Sequence, residues 1–205
     1  MFITFEGSEG GGKTTQIALL ADFLQQQGFS VCVTRQPGGT DIGQQIRNCL
    51  HDVANTAMTA KAEILLYAAD RAQHVGEIIR PALDEGKIVL CDRYTDSTMA
   101  YQGYGRGLDL DTLQWINEFA TDQLKPDLTL LLDVDIETGL QRRQDGDLEM
   151  NRMDQQAVAF YHRVKAGFDQ LMAQDPERWV KVNANRPLAD VQTDLQKQLK
   201  LRLNI

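Results

Sequence analysis

The chain has no apolar run approaching the roughly 20 residues a helix needs to cross a bilayer. After Met1 it enters an apolar strand pattern rather than a basic region followed by an apolar core. The expectation is a soluble, cytoplasmic protein without a membrane partner. Cysteine is scarce: Cys32, Cys49 and Cys91 are odd in number, lie far apart and form no C-x-x-C. That argues against a disulfide framework and a zinc site, and leaves buried free thiols as the plain reading. Positive charge is also in deficit, with 21 Lys and Arg against 29 Asp and Glu for a net −8. With no basic stripe, a nucleic-acid polymer is not an expected partner. Small phosphorylated ligands are not excluded, because screening over about 8 Å lets a local cluster govern its own cleft. No repeat, low-complexity tract or Pro/Gly/Ser linker breaks the sequence. With 205 residues, 42% of them hydrophobic and 24% charged, one domain over 1–205 with one good core is expected.

Against these absences stands "GSEGGGKT", residues 7 to 14, which fits G-x-x-x-x-G-K-[ST] through Gly7, Gly12, Lys13 and Thr14. Glycines let successive backbone N–H groups turn inward around an anion. A lysine in this place reaches the β/γ-phosphates, and the following hydroxyl can ligate Mg²⁺. "FITF" before the loop reads as a strand and "QIALLADFLQQQ" after it as an amphipathic helix, so the loop sits at a helix N-terminus, where anions are favoured. The signatures of switch, guanine-reading and transporter NTPases (D-x-x-G, N-K-x-D, L-S-G-G-Q) are missing.

Further apolar runs, "SVCVT" at 30–34, "KIVLC" at 87–91, "LTLLLDV" at 128–134 and "WVKVN" at 179–183, alternate with helical patterns. Five such strands imply an α/β fold with a parallel sheet and right-handed crossovers, and Gly28 and Gly86 stand where helix C-caps are expected. Ligands of open α/β sheets lie beyond the carboxyl ends of the strands. The residues there include Arg35 with the Pro37-Gly38-Gly39 turn, Asp92 and Arg93. A carboxylate at that point can hold Mg²⁺ while the arginine forks onto phosphate; alternatively the aspartate caps the next helix beside an exposed arginine. On the helix over 62–79, Tyr67, Arg71 and His74 share a face, which suits a planar base or, equally, ordinary core packing with Arg71 paired to an acid. His74 reads as a structural histidine. In "GLQRRQDGDLEMNRMDQQ", residues 139–156, three arginines flank a polar stretch that is either a solvated loop or a mobile lid.

Taken together, "FEGSEGGGKTTQ", "TRQPGGT", "YAADRAQHV", "DRY" and "AYQGYGRG" resemble the thymidylate kinase family, in the right order over nearly the whole chain. The resemblance implies a P-loop NTPase three-layer sandwich of the nucleoside-monophosphate kinase type. It also implies Mg²⁺-dependent transfer of the ATP γ-phosphoryl group to dTMP, giving dTDP for dTTP synthesis, and a homodimer. By the same likeness Gly7, Ser8, Glu9, Gly10, Gly11, Gly12, Lys13, Thr14 and Thr15 hold ATP, with Thr14 and Asp92 on the metal. Glu9 contacts the dTMP 3′-hydroxyl, Arg35 beside Pro37 holds the dTMP phosphate, Tyr67 stacks on thymine and Arg71 meets its edge. Tyr101 leaves no room for a ribose 2′-hydroxyl, Gln102 is a base or sugar contact, and Thr98 belongs to the same pocket. Gly10 and Gly11 occupy the loop where some members carry an arginine, so the chain resembles the kind whose arginines come from a lid, about 141–153. Arg152 is expected to be the principal lid arginine, assisted by Arg142 or Arg143, and to form the catalytic group with Lys13, Asp92 and Arg93. Two residues depart from the family pattern: Gln36 where Glu is usual, and Asn151 in "NRMD" where "DRIE"-like residues are usual.

Overall fold

A computed structural model describes residues 1–145, 151–153, 156–203 and 205. Its centre is a five-stranded sheet built from β1 (Phe2–Glu6), β2 (Val31–Arg35), β3 (Ile88–Asp92), β4 (Leu128–Asp133) and β5 (Trp179–Asn183). The order is β2-β3-β1-β4-β5 and all four pairings are parallel. The expected α/β class and strand count are therefore observed. Three strands reach one residue further than the apolar runs suggest, to Glu6, Arg35 and Asp92; Arg35 is in register with Asp92, so both are strand-terminal residues held by the ladder.

Side chains alternate across the pleat, and each face finds a helical layer. Ile3 and Phe5 of β1, Leu130 and Leu132 of β4 and Val182 of β5 pack on one side with Ile17, Leu20 and Leu24 of α1 (Lys13–Gln26). Val191, Leu195 and Leu199 of α9 (Leu188–Leu203) complete that layer. On the other side Leu131 and Trp179 join Tyr101 and the Phe160, Val164 and Phe168 stripe of α8 (Val158–Gln174). Phe2, Val89 and Cys91 meet Val75, Ile79 and Tyr94. Of the three cysteines only Cys91 is fully buried; Cys49 is exposed. Gly28 and Gly86 adopt left-handed φ of 89° and 74° just past α1 and α4 (Arg80–Asp84), as helix C-caps require.

The remaining helices frame the carboxyl end of the sheet. α2 (Asp41–His51), α3 (Ala60–His74) and α6 (Leu110–Thr121) each start under a side-chain cap, from Thr40, Thr59 and Asp109. α1 starts at Gly12, in a left-handed conformation with no side-chain cap, so its first-turn N–H groups are left for another acceptor. The helix expected over 62–79 is α3 followed by a π-helical turn, Val75–Ile79, whose Val75 and Ile79 pack with Val89 and Cys91 of β3. A second π-helical turn, Met99–Gly105, follows the short α5 (Thr95–Thr98) and carries Tyr101 and Gln102; such turns recur at functional sites. α7 (Ile136–Gln144) extends into the expected lid, so Arg142 and Arg143 lie on its last turn, while residues 146–150 of that lid lie outside the described residues.

Candidate active site

The loop from Gly7 to Gly12 is wedged between backbones. A Cβ on Gly7 would lie 2.4 Å from the Leu132 carbonyl oxygen, and one on Gly10 would lie 2.0 Å from that of Gly139 on α7; both glycines also have positive φ. Only glycine satisfies both the space and the dihedral, so the loop is held open by contact with β4 and α7. Lys13 is buried and folds back, its Nζ donating to the carbonyls of Gly7 (3.1 Å) and Ser8 (2.9 Å). Burial and the neighbouring Arg93 push its pKa down, against the pull of Glu9 and Asp92. Thr14 Oγ1 donates to Asp92 Oδ2 at 2.9 Å, so the end of β3 reaches the first turn of α1.

Arg93 follows Asp92 with φ 68°, an unusual conformation for a residue with a side chain. Its backbone N–H continues the ladder onto the Phe5 carbonyl, and the left-handed turn then swings the guanidinium over the loop. There it pairs with Glu9 at 2.8 Å, donates to Ser97 Oγ at 3.1 Å and lies 4.9 Å from the Tyr101 ring centroid. Glu9 also accepts from the Tyr101 hydroxyl at 3.0 Å. Burial pushes the Glu9 carboxyl up, but Arg93 and then Lys13 outweigh it and hold the pKa at about 2.

Beneath this pair lies Glu6, fully buried at the end of β1, accepting from Ser97 Oγ at 2.5 Å and the Tyr94 N–H at 2.8 Å. Burial, reinforced by Asp96, raises its pKa to about 7. A carboxyl whose folded pKa exceeds its ordinary value of 4.5 stabilises the fold fully below pH 4.5, and that contribution is lost as pH rises through 7. The Tm of the wild type is therefore expected to fall relative to that of Glu6→Gln between pH 5 and pH 8. Melting curves that track each other over that range would contradict the assignment.

Arg71 is 2% exposed and its guanidinium meets only neutral acceptors among the described residues. These are Gln36 Oε1 (3.0 Å), Asn117 Oδ1 (2.5 Å), Thr98 Oγ1 (2.9 Å) and the Tyr94 carbonyl (3.3 Å). The alternative of pairing with an acid is not realised. Gln36 thus takes the place of the usual carboxylate with an amide, leaving its buried Nε2 without a partner among the described residues. His74 is buried against Thr34 Oγ1 with its pKa pushed down to about 4 by burial and by Arg71, in keeping with a structural role.

The phosphate loop, Arg71 and Arg93 line one cavity of about 980 Å³. Its wall includes Glu9 to Thr15, Arg35, Gln36, Pro37, Tyr67, Arg71, Asp92, Arg93, Thr98, Tyr101 and Gln102. The structure thus brings together nearly every expected site residue; Gly7 and Ser8 lie behind the loop, against β4. Arg142 and Arg143 also line it, Arg142 Nη1 donating to the Ala184 carbonyl at 3.0 Å. Arg152 is placed elsewhere, 8% exposed, bonded through Nε to the Leu50 carbonyl (2.9 Å) and through Nη2 to Glu63 (2.5 Å). Glu63 also binds Arg106 and Gln102. Missed in the sequence are Arg47, Ser97, Asn117 and Glu63. Arg47 lines the cavity and donates to the Pro37 carbonyl at 2.9 Å; its only sequence signal is being the one basic residue of α2 before His51. Also missed is Asp70, which fixes the turn after Pro37 by accepting from the Gly38 N–H at 2.8 Å.

A phosphate loop feeding an uncapped helix, an aspartate–arginine pair at the end of the adjacent strand and a cavity large enough for two nucleotides define a P-loop phosphotransferase. A family model for thymidylate kinase matches residues 5–195. The chain is 50% identical to the thymidylate kinase of Trichlorobacter lovleyi over 210 residues, covering 100% of this chain and 99% of that one. It is 53% identical to that of Thermomicrobium roseum over 186 residues, covering 91% and 88%. The crystal structure of thymidylate kinase from Ehrlichia chaffeensis superposes with a TM-score of 0.78 at 36% identity, covering 97% and 98% of the two chains. The chain belongs to the thymidylate kinase family.

Proposed function

We infer that the protein transfers the γ-phosphoryl group of ATP to dTMP, giving dTDP. The observation that carries this reading is the opening of the phosphate loop and of the Tyr67, Arg71 and Gln102 pocket into one cavity, with Asp92 and Arg93 between them. ADP release from Mg·ATP, measured without acceptor and with dTMP, dUMP, dCMP, dAMP, dGMP and TMP, tests it. Strong stimulation by dTMP with weak dUMP is expected; turnover independent of acceptor would point to an NTPase.

The acceptor is a phosphate whose second pKa is near 6, so it is mostly dianionic at neutral pH and needs no general base. Asp92 accordingly is given no proton to take. The barrier is electrostatic: two anionic ligands must be held with their reacting oxygens in line while charge on the moving group is neutralised. Lys13 leaves the Gly7 and Ser8 carbonyls for phosphate oxygens, and the α1 N–H groups face the same anion. Arg93 reaches the reacting phosphates, already aimed by Glu9, Ser97 and Tyr101, while Arg35 and Arg47 take the dTMP phosphate. Glu9 holds the sugar hydroxyl, Tyr67 stacks on the base, and Tyr101 closes the space where a 2′-hydroxyl would sit.

Thr14 and Asp92, one hydroxyl and one carboxylate 2.9 Å apart, are an all-oxygen pair that would hold Mg²⁺. When bound, the ion neutralises phosphate charge. On the ATP side Arg142 and Arg143 are assigned to the nucleotide, and Arg152 to anchoring the chain on Glu63 rather than to the phosphoryl group.

A cytoplasmic location and a homodimer belong to the same proposal. The dimer is supported by the outer face of α3 and α6, where Leu65, Trp115 and Phe119 are exposed and the two rings stack at 5.7 Å. Phe119→Glu is expected to convert a dimer to a monomer by light scattering. An unchanged mass would place the interface elsewhere.

A further inference from the structure

We propose that Glu63 is a positioning residue that sets which pyrimidine the acceptor pocket takes, by fixing the amide of Gln102 with its oxygen toward the cavity. Glu63 is 1% exposed and sits on α3 one turn before Tyr67. It accepts from Arg106 Nε (2.6 Å) and Nη2 (2.9 Å), from Arg152 Nη2 (2.5 Å) and from Gln102 Nε2 (2.8 Å). Burial pushes its carboxyl up, but these donors outweigh it and hold the group below the usual carboxylate range. An ionised carboxylate only accepts hydrogen bonds. Gln102 must therefore turn its NH₂ toward Glu63, which leaves Oε1 as its free end; no described residue donates to that oxygen.

Gln102 is 2% exposed and lines the cavity beside Thr98, Arg71 and Tyr67. An acceptor there matches the N3–H of thymine or uracil and opposes the N3 lone pair of cytosine. Arg71, a donor only, complements a ring carbonyl in the same pocket. Without the carboxylate the amide could rotate by a half-turn and serve either base. This inference rests on dTMP as acceptor with its base beside Gln102, and adds what orients the side chain that reads it.

The test compares kcat/KM for dTMP, dUMP and dCMP in the wild type, Glu63→Gln, Glu63→Asp, Gln102→Leu and the Glu63→Gln/Gln102→Leu double variant. Glu63→Asp keeps the charge its arginines need, which guards against loss of the fold, yet is too short to hold Gln102. Both Glu63 variants are expected to lower the dTMP:dCMP ratio about tenfold, the cost of one mispaired buried hydrogen bond. That change should lie in KM, with the dTMP:dUMP ratio kept because both bases carry N3–H. Gln102→Leu should lower the dTMP:dCMP ratio as much, and the double variant no further. A purely structural role would lower all three acceptors together. An unchanged dTMP:dCMP ratio in the Glu63 variants or in Gln102→Leu, or an additive fall in the double variant, would overturn the proposal. A wild type without preference for dTMP would instead remove the substrate reading on which it rests.

Discussion

Arg93→Ala is expected to lower kcat/KM for dTMP by about 10³, mostly in kcat, in the range measured when a positioned cation at a moving phosphoryl group is removed. The size follows from how much of the site is committed to this one side chain. Its backbone holds φ 68°, a conformation that costs an L-residue roughly 1–2 kcal/mol, and the ladder bond from its N–H to the Phe5 carbonyl keeps it there. Glu9, Ser97 and the face of Tyr101 then fix the guanidinium from three sides. Such preorganisation means that little reorientation is left for the moment of reaction. The same geometry separates catalysis from folding. Arg93→Gly should be as inactive as Arg93→Ala but more stable by about 1 kcal/mol, because glycine adopts a positive φ without strain. A variant that kept kcat and changed only KM would show that Arg93 binds substrate and transition state equally, and would withdraw its role at the moving group.

Arg152→Ala and Arg142→Ala are expected to fail in different ways. Arg152 is joined to Glu63 in a pair whose side chains are 10% and 1% exposed, and its Nε satisfies the Leu50 carbonyl. Removing it strands part of a buried carboxylate charge, a change that costs roughly 3 kcal/mol or more. Arg106 remains to share that charge, which places the estimate at the low end of the range for broken buried pairs. In a chain of 205 residues this corresponds to a fall in Tm of about 6–12 °C. Arg142, exposed at the cavity wall and tied among the described residues only to the Ala184 carbonyl, is expected to leave Tm nearly unchanged and to lower kcat. Thermal melts and steady-state kinetics on both variants decide the matter. An Arg152→Ala protein with native Tm and collapsed kcat, beside an active Arg142→Ala protein, would return the catalytic role to Arg152.

The different fortunes of these arginines mark what a sequence carries. "GSEGGGKT" specifies its loop because Gly7, Gly10 and Gly12 each answer a local demand, a positive φ, and those demands lie within eight residues of one another. The strands are equally legible, since a parallel sheet covered on both faces needs near-continuous apolar runs, and helix caps such as Gly28 are local by nature. Asp92 and Arg93 could be placed at a strand end from the run before them, which puts them beside the phosphate loop once the sheet is parallel. Tyr67 and Arg71 share a face by helical spacing alone.

What only the tertiary structure decided is which charges meet. Glu63 reads as one more acid on a helix, and its three donors come from positions 39, 43 and 89 residues away. Arg71 could equally have found an acid; long-range packing gave it Gln36, Asn117 and Thr98 instead. Arg152 stands in a polar stretch whose composition suits a solvated lid, yet its side chain is buried against α2 and α3. The left-handed turn at Arg93 has no signature of its own, because an arginine is not a residue that seeks positive φ; the strand pairing around it imposes that conformation. Sequence determined the fold and the phosphate loop because periodicity and backbone demands act over a few residues. Partner choice among buried charges was left to the fold, because a hydrogen bond or ion pair depends on distance in space and carries no trace of separation along the chain.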